Sequence, residues 1–110
     1  MEKNAWVKEI PLAITVVDCN GTILEMNDKA IKSFEEEGGE KLIGKSLFDC
    51  HSPNSNEIIK HIIESGEKRV VEIEKSGVKN IDYITPWFKD GKCAGIVELS
   101  FEIPTQVSRP

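Results

Sequence analysis

The segment from Val16 to Asn27 constrains the fold of this chain more than any other. Apolar, β-branched residues lead into Asn20-Gly21, a pair typical of a two-residue type I′ turn because both residues accept positive φ. The apolar residues at 23, 24 and 26 predict the return strand, and Asn27 is placed to cap a helix. The segment therefore predicts a β-hairpin that runs directly into a helix.

The chain around this hairpin divides into strands and helices. We expect the first strand over Ile10 to Asp18 and a first helix over residues 28–36. A second helix is predicted over residues 55–65, capped by Asn54, because four isoleucines share one face at helical spacing. Gly66 is typical of the position that follows a helix end.

From residue 68 the apolar period becomes two, which predicts three more strands. Ser76-Gly77 and Asp90-Gly91 mark the turns between them. In the last strand, Val97 and Leu99 face one way and Glu98 faces the other. Two strands, then helices, then three strands predict an α+β domain whose antiparallel sheet has helices over one face.

Size and charge exclude several classes of function. We expect one domain over residues 1–110, with an arm at 1–9, a core at 10–103 and a tail at 104–110. A net charge of −5 does not favour binding to a phosphate backbone, so no direct nucleic-acid contact is expected. The sequence lacks an apolar run of about 20 residues, which argues against membrane insertion. Three widely spaced cysteines favour reduced thiols and a cytoplasmic location.

Three motifs follow one another along the chain. They are Asp18, Gly21, Ile23 and Asn27 in the hairpin; residues 41–47 before the long helix; and Thr85-Pro86, Asp90-Gly91 and Gly95-Ile96-Val97 in the terminal hairpin. In this order, and over roughly residues 10–103, they resemble a PAS domain.

The resemblance implies a five-stranded sheet in the order 2-1-5-4-3, with a cavity between sheet and helices. It also implies a non-catalytic sensory module that binds a small ligand or forms a homodimer, usually joined to the output domain of a larger signalling protein. The chain departs from the family at Glu102-Ile103-Pro104, where the family often has Asp-Ile-Thr. Coupling to an output domain is therefore not visible in the sequence.

The loop around Cys50-His51 offers the main chemical alternative. It is similar to the Cys-His-x-Pro element of a PAS-like subgroup, and both side chains are iron ligands in haem proteins, so a haem or redox sensor is one hypothesis. The other is a loop in which His51 only bonds the backbone. Cys50 has no orienting acid beyond Asp49, so no enzyme is predicted. Cys19 and Cys93 are interpreted as structural.

A small apolar ligand would need a cavity between the long helix and the sheet. The candidate lining residues are Phe48, His51, Ile58, Ile62, Tyr83, Thr85, Val97 and Leu99. Alternatively, side chains fill this space and the domain acts only through its surface, as a pure protein–protein interaction module. Trp6 and Trp87 are then the candidate aromatic anchors of a dimer interface.

Overall fold

The computed structural model describes residues 5–49 and 53–110, and its centre is an antiparallel sheet of five strands in the order β2-β1-β5-β4-β3. The strands are β1 (Ala13–Asp18), β2 (Ile23–Met26), β3 (Arg69–Lys75), β4 (Val78–Lys89) and β5 (Lys92–Glu102). The first and last strands pair along their length, from Ala13 with Ser100 to Asp18 with Gly95. The predicted α+β class and strand order are confirmed.

The helices are shorter or begin earlier than predicted. They are α1 (Ala5–Lys8), α2 (Asp28–Ser33) and α3 (Pro53–Ser65), with short 3-10 helices over Glu35–Glu37, Gly39–Leu42 and Leu47–Asp49. Helix α2 stops at Ser33 because Phe34 leaves helical geometry and three acids follow, which oppose the dipole at a helix C-terminus. Helix α3 begins at Pro53, a residue favoured in the first turn, so the prediction that Asn54 caps it is wrong.

Two of the three predicted tight turns have the expected geometry. Positive φ at Ser76 and Gly77, and again at Asp90 and Gly91, closes the β3–β4 and β4–β5 hairpins. Gly66 also has positive φ, and its N–H donates to the carbonyl of Ile62 at the end of α3, as predicted.

The first hairpin has a different loop. Asn20 does not take positive φ, and the carboxylate of Asp18 accepts hydrogen bonds from the N–H groups of Asn20 and Thr22, each at 2.9 Å. Pairing resumes only between Val17 and Ile23, so the loop is longer than two residues. The predicted type I′ turn is wrong because an acceptor side chain at the start of the loop stabilises a different bend.

The core lies where α3 crosses the middle of the sheet. Val17 of β1 and Ile96 of β5 are paired and fully buried. Ile59 and Ile62 of α3 pack on them. Burial of each such side chain stabilises the fold by about 1.5–3 kcal/mol. The first strand starts at Ala13, not Ile10, because Leu12 bonds back to the carbonyl of Ile10 in a turn.

Candidate functional site

The face of the sheet that the helices cover has two chemically different halves. The apolar half is the core around Val17 and Ile96. The polar half lies further along the same strands: Thr15 pairs with Glu98, and Asp82 of β4 pairs with Ser100. Paired residues point to the same side of an antiparallel sheet, and Thr15 and Glu98 are each two residues from a core residue. The polar half is therefore also turned towards the helices.

A cavity of about 120 Å³ lies between the polar half and the end of α2. Its lining joins acids, hydroxyls and one aromatic ring: Ala13, Thr15, Ser33, Phe34, Asp82, Glu98 and Ser100. Thr15 is only 5% exposed, although it is polar. The cavity thus places one buried hydroxyl group beside three half-buried polar residues, Asp82, Glu98 and Ser100, with the exposed Ser33 at its edge.

Glu98 is the most perturbed acid of the cavity. Burial raises the pKa of its carboxyl from the ordinary 4.5 to about 7, and the neighbouring carboxyl of Asp82 adds to the shift. The seven lining residues include no lysine, arginine or histidine that would lower it. Near neutral pH this carboxyl is therefore divided between an ionised form, which only accepts hydrogen bonds, and a protonated form, which can also donate one. It is the group of the cavity best placed to respond to a ligand or a proton.

Asn27 holds the helix that covers the cavity. Its side-chain oxygen accepts from the N–H of Ala30 at 3.1 Å, which caps α2 as predicted, and from the N–H of Ile14 at 2.9 Å. Its amide group donates to the carbonyls of Leu12, at 2.7 Å, and Val7, at 3.2 Å. One residue, 4% exposed, therefore connects α1, β1 and α2.

The predicted ligand-binding set is divided between the two faces of the sheet. Phe48, Ile58 and Ile62 lie on the helix-covered side and pack in or against the core. The Phe48 ring also fills the space beside Gly21, where an added Cβ would lie 2.5 Å from it. These three side chains contribute to the packed interior rather than to the polar cavity.

The other four described members of that set lie on the opposite face. Tyr83 pairs with Leu99, and Thr85 pairs with Val97, which in turn pairs with Val16. Because Val17 points into the core, these residues point away from it. The prediction that all these residues line a single cavity is therefore wrong. Alternation shows which residues of β5 share a face. Because both faces of β5 carry apolar residues, it does not show which face the helices cover.

The opposite face carries an apolar groove beside α1. Ile14, Val16, Val97 and Leu99 form its floor, and Trp6, 66% exposed, stands at its edge. Helix α1 is held there by an ion pair between Lys8 and Asp28 at 3.1 Å.

The two tryptophans have different surroundings. The indole N–H of Trp87 donates to the carbonyl of Val17 at 3.0 Å, so Trp87 braces β4 against β1 across β5. Trp6, by contrast, is largely exposed. Their role in a dimer interface remains a prediction.

The chemistry predicted at Cys50 and His51 lies outside the described residues, so haem ligation remains a prediction. Within residues 5–49 and 53–110, the acids, histidines and cysteines form no group of three suited to a metal ion. In the same ranges, no helix combines the length and apolarity needed to cross a bilayer.

The acids of the polar half were missed because an acid at an alternating strand position is usually solvated. One signal was available. In the order 2-1-5-4-3, β5 is the central strand and β4 is its neighbour, so a helix layer covers one face of each. Glu98 and Ser100 lie on the same face of β5 as Ile96. If the helices cover the Ile96 face, they therefore cover Glu98 and Ser100 as well.

Comparisons with known proteins identify the fold. No family model matches the sequence, and no curated protein matches it. Among solved structures, a C-terminal domain from Streptococcus mutans superposes with a TM-score of 0.73 at 18% identity, over 90% of this chain and 81% of that one. VqmA bound to DPO gives a TM-score of 0.72 at 19% identity, over 92% of this chain and 56% of that one.

A third similar structure is the PAS domain of the histidine kinase ThkA, with a TM-score of 0.63 at 20% identity, over 83% of this chain and 98% of that domain. Another structure similar to this chain is that of the Vibrio cholerae VqmA dimer, and the chain spans about half of its length. The fold is therefore PAS-like. These similarities do not identify the Cys-His-x-Pro subgroup.

Proposed function

We propose that this chain is a non-catalytic sensory module of the PAS type, which binds a small ligand in the cavity between α2 and the sheet. The observation that carries the proposal is the cavity itself, with the largely buried Glu98 beside Asp82. The PAS-like fold supports a sensory role. VqmA, which is similar in fold, has been solved with DPO bound. By analogy with the longer VqmA chains, the module would act with an output domain.

The lining indicates the class of ligand. Carboxyl groups and the hydroxyl of Ser100 offer mainly acceptors, so the ligand should carry N–H or O–H donors, and the Phe34 ring suits a flat molecule. A volume of about 120 Å³ is roughly that of four water molecules in the liquid. A small heterocycle or amine fits these limits better than the apolar ligand expected from the sequence.

The fold offers a route from the cavity to the surface. Ser33 and Phe34, at the end of α2, line the cavity, and the start of α2 is bound through Asn27 to Ile14 and α1. A ligand that favours one position of α2 would therefore also favour one position of α1. The signal would leave through α1 and the groove beside it.

The test uses three small probes: imidazole, 2-aminopyridine and methylguanidinium. We expect at least one to shift the amide NMR signals of the cavity residues and to raise the melting temperature. Glu98→Gln and the cavity-filling Ala13→Leu should abolish both effects. Glu102→Gln, an exposed acid on the same strand, is the matched control. Equal binding by the Glu98→Gln and Glu102→Gln variants, or shifts located only elsewhere, would contradict the proposal.

The groove on the opposite face favours a second function, dimerisation. Trp6 is a large apolar side chain exposed beside the half-buried Ile14, Val16, Val97 and Leu99. Apolar patches with an aromatic edge are typical of protein interfaces. Analytical ultracentrifugation should show a dimer that Trp6→Ala weakens. Phe88→Ala, which removes another largely exposed aromatic side chain that does not line the groove, should leave the dimer unchanged. A wild-type monomer at high micromolar concentration would exclude this function.

A further inference from the structure

Cys19 and Cys93 lie close together at one end of the sheet. The sequence alone had favoured a structural role for both. Cys19 directly follows β1, and Cys93 is the second residue of β5. The pairing of Asp18 with Gly95 brings these strand ends together. The thiol of Cys19 donates to the carbonyl oxygen of Cys93 at 3.3 Å, and the thiol of Cys93 donates to the carbonyl oxygen of Gly95 at 3.5 Å. Both thiols are free.

Their position does not suit a purely structural role. A structural cysteine is usually a buried, small apolar residue. Cys19 is exposed and Cys93 is half-buried, and neither belongs to the core cluster. Two adjacent thiols, one of them open to solvent, are instead the arrangement that two-electron oxidants convert to a disulfide.

We propose that Cys19 and Cys93 form a reversible disulfide, which makes this end of the sheet a redox modification site. With hydrogen peroxide as oxidant, the Cys19 thiolate attacks one peroxide oxygen, and the O–O bond breaks to give a sulfenic acid and hydroxide. The hydroxide takes up the proton that the thiol released on ionisation and becomes one molecule of water. The thiol of Cys93 then attacks that sulfur, the S–S bond forms, and the sulfenic oxygen leaves as a second water. Two electrons pass from the thiols to the peroxide, and a dithiol reductant reverses the change.

The surroundings of Cys19 limit its reactivity without blocking it. Partial loss of contact with water, the neighbouring Cys93 and the charge of Asp18 raise the pKa of the Cys19 thiol above its ordinary value. Only the thiolate attacks peroxide, so little of the reactive form is present at neutral pH. The site therefore suits sustained oxidation better than a rapid response to trace peroxide.

The bond would also stabilise the fold. Cys19 and Cys93 are 74 positions apart, so their disulfide closes a loop that contains β2, all of α2 and α3, and most of the sheet. Closing a long loop reduces the freedom of the unfolded chain. We expect the oxidised protein to melt at least about 5 °C above the reduced protein.

The test uses the full chain with Cys50→Ser, so that only the two cysteines of interest remain. After treatment with hydrogen peroxide at alkaline pH, the monomer mass should fall by about two hydrogens. Trypsin should release peptides 9–29 and 93–110 joined through Cys19 and Cys93. Dithiothreitol should separate them and return the melting temperature to its reduced value.

Two variants complete the experiment. Cys19→Ser and Cys93→Ser, each in the Cys50→Ser background, should form no internal link and should melt at the same temperature with or without peroxide. Their circular dichroism under reducing conditions establishes that they fold. The proposal is overturned if the treated protein keeps both thiols open to alkylation, stops at sulfinic acid, or links only between molecules.

Discussion

The two halves of the helix-covered face are built from the same strands but differ in packing. In the apolar half, Val17 and Ile96 are fully buried beneath α3. In the polar half, Glu98 and Thr15 lie side by side on the sheet and line a cavity beneath α2. If both halves served only to stabilise the fold, acids would not be expected in the polar half, because burying a carboxyl group costs free energy. The difference indicates that the apolar half contributes more to the stability of the domain, and it supports the proposal that the polar half binds a ligand.

The largest effect should come from breaking the apolar half. Ile96→Ala removes a fully buried side chain and should lower the free energy of unfolding by about 2–5 kcal/mol. Ser100→Ala, four residues further along the same face and beside the cavity, should change it by less than about 1 kcal/mol. Urea denaturation measures both. Equal losses for the two variants would show that the halves are packed alike.

The polar half should make stability depend on pH. The folded-state pKa of Glu98, about 7, lies above the ordinary 4.5, so the folded protein binds the proton more tightly than the unfolded chain. This contribution is fully present below the unfolded-state pKa and is lost as pH rises through about 7. Between those limits it should amount to about 3 kcal/mol.

Glu98→Gln isolates that contribution, because glutamine stays neutral. Urea denaturation should show that the variant loses less stability than the wild type from about pH 5 to about pH 8, and that it is the more stable protein at the alkaline end. Glu102→Gln, exposed on the same strand, should follow the wild type. If the Glu98 and Glu102 variants have the same pH profile, Glu98 is not buried in the cavity.

A smaller effect should come from loosening the helix above the polar half. Asn27→Ser keeps an oxygen able to cap α2 but loses the amide that donates to Leu12 and Val7. We expect a loss of about 1–2 kcal/mol, with faster amide hydrogen exchange in α1 and α2. Asn20→Ser, an exposed asparagine in the first loop, is the control and should change neither.

Some features of the two halves were predictable from the sequence and others were not. The turns and the helix end were predictable because the positive φ that each of them needs restricts the residue types found there. These positions are Ser76-Gly77, Asp90-Gly91 and Gly66. The strand order came from the resemblance of ordered motifs, and the structure confirms it. The contents of the two faces were not predictable in the same way.

Glu98 shows why. Alternation in β5 separates Val97 and Leu99 from Glu98 and Ser100, and an apolar set normally faces the helices. Here the apolar set faces the groove beside α1, and the acid faces α2. The register of β5 against the buried Val17 decides between these arrangements. Register between distant strands is a tertiary property, so the pattern within β5 does not predict it.

The most direct test of the account is an NMR titration of the Glu98 side-chain carboxyl in the folded protein. We predict a midpoint at about pH 7, because the carboxyl is half-buried beside Asp82 beneath α2. A midpoint near the ordinary 4.5 would mean that Glu98 is solvated, and it would contradict the existence of a polar half on the helix-covered face.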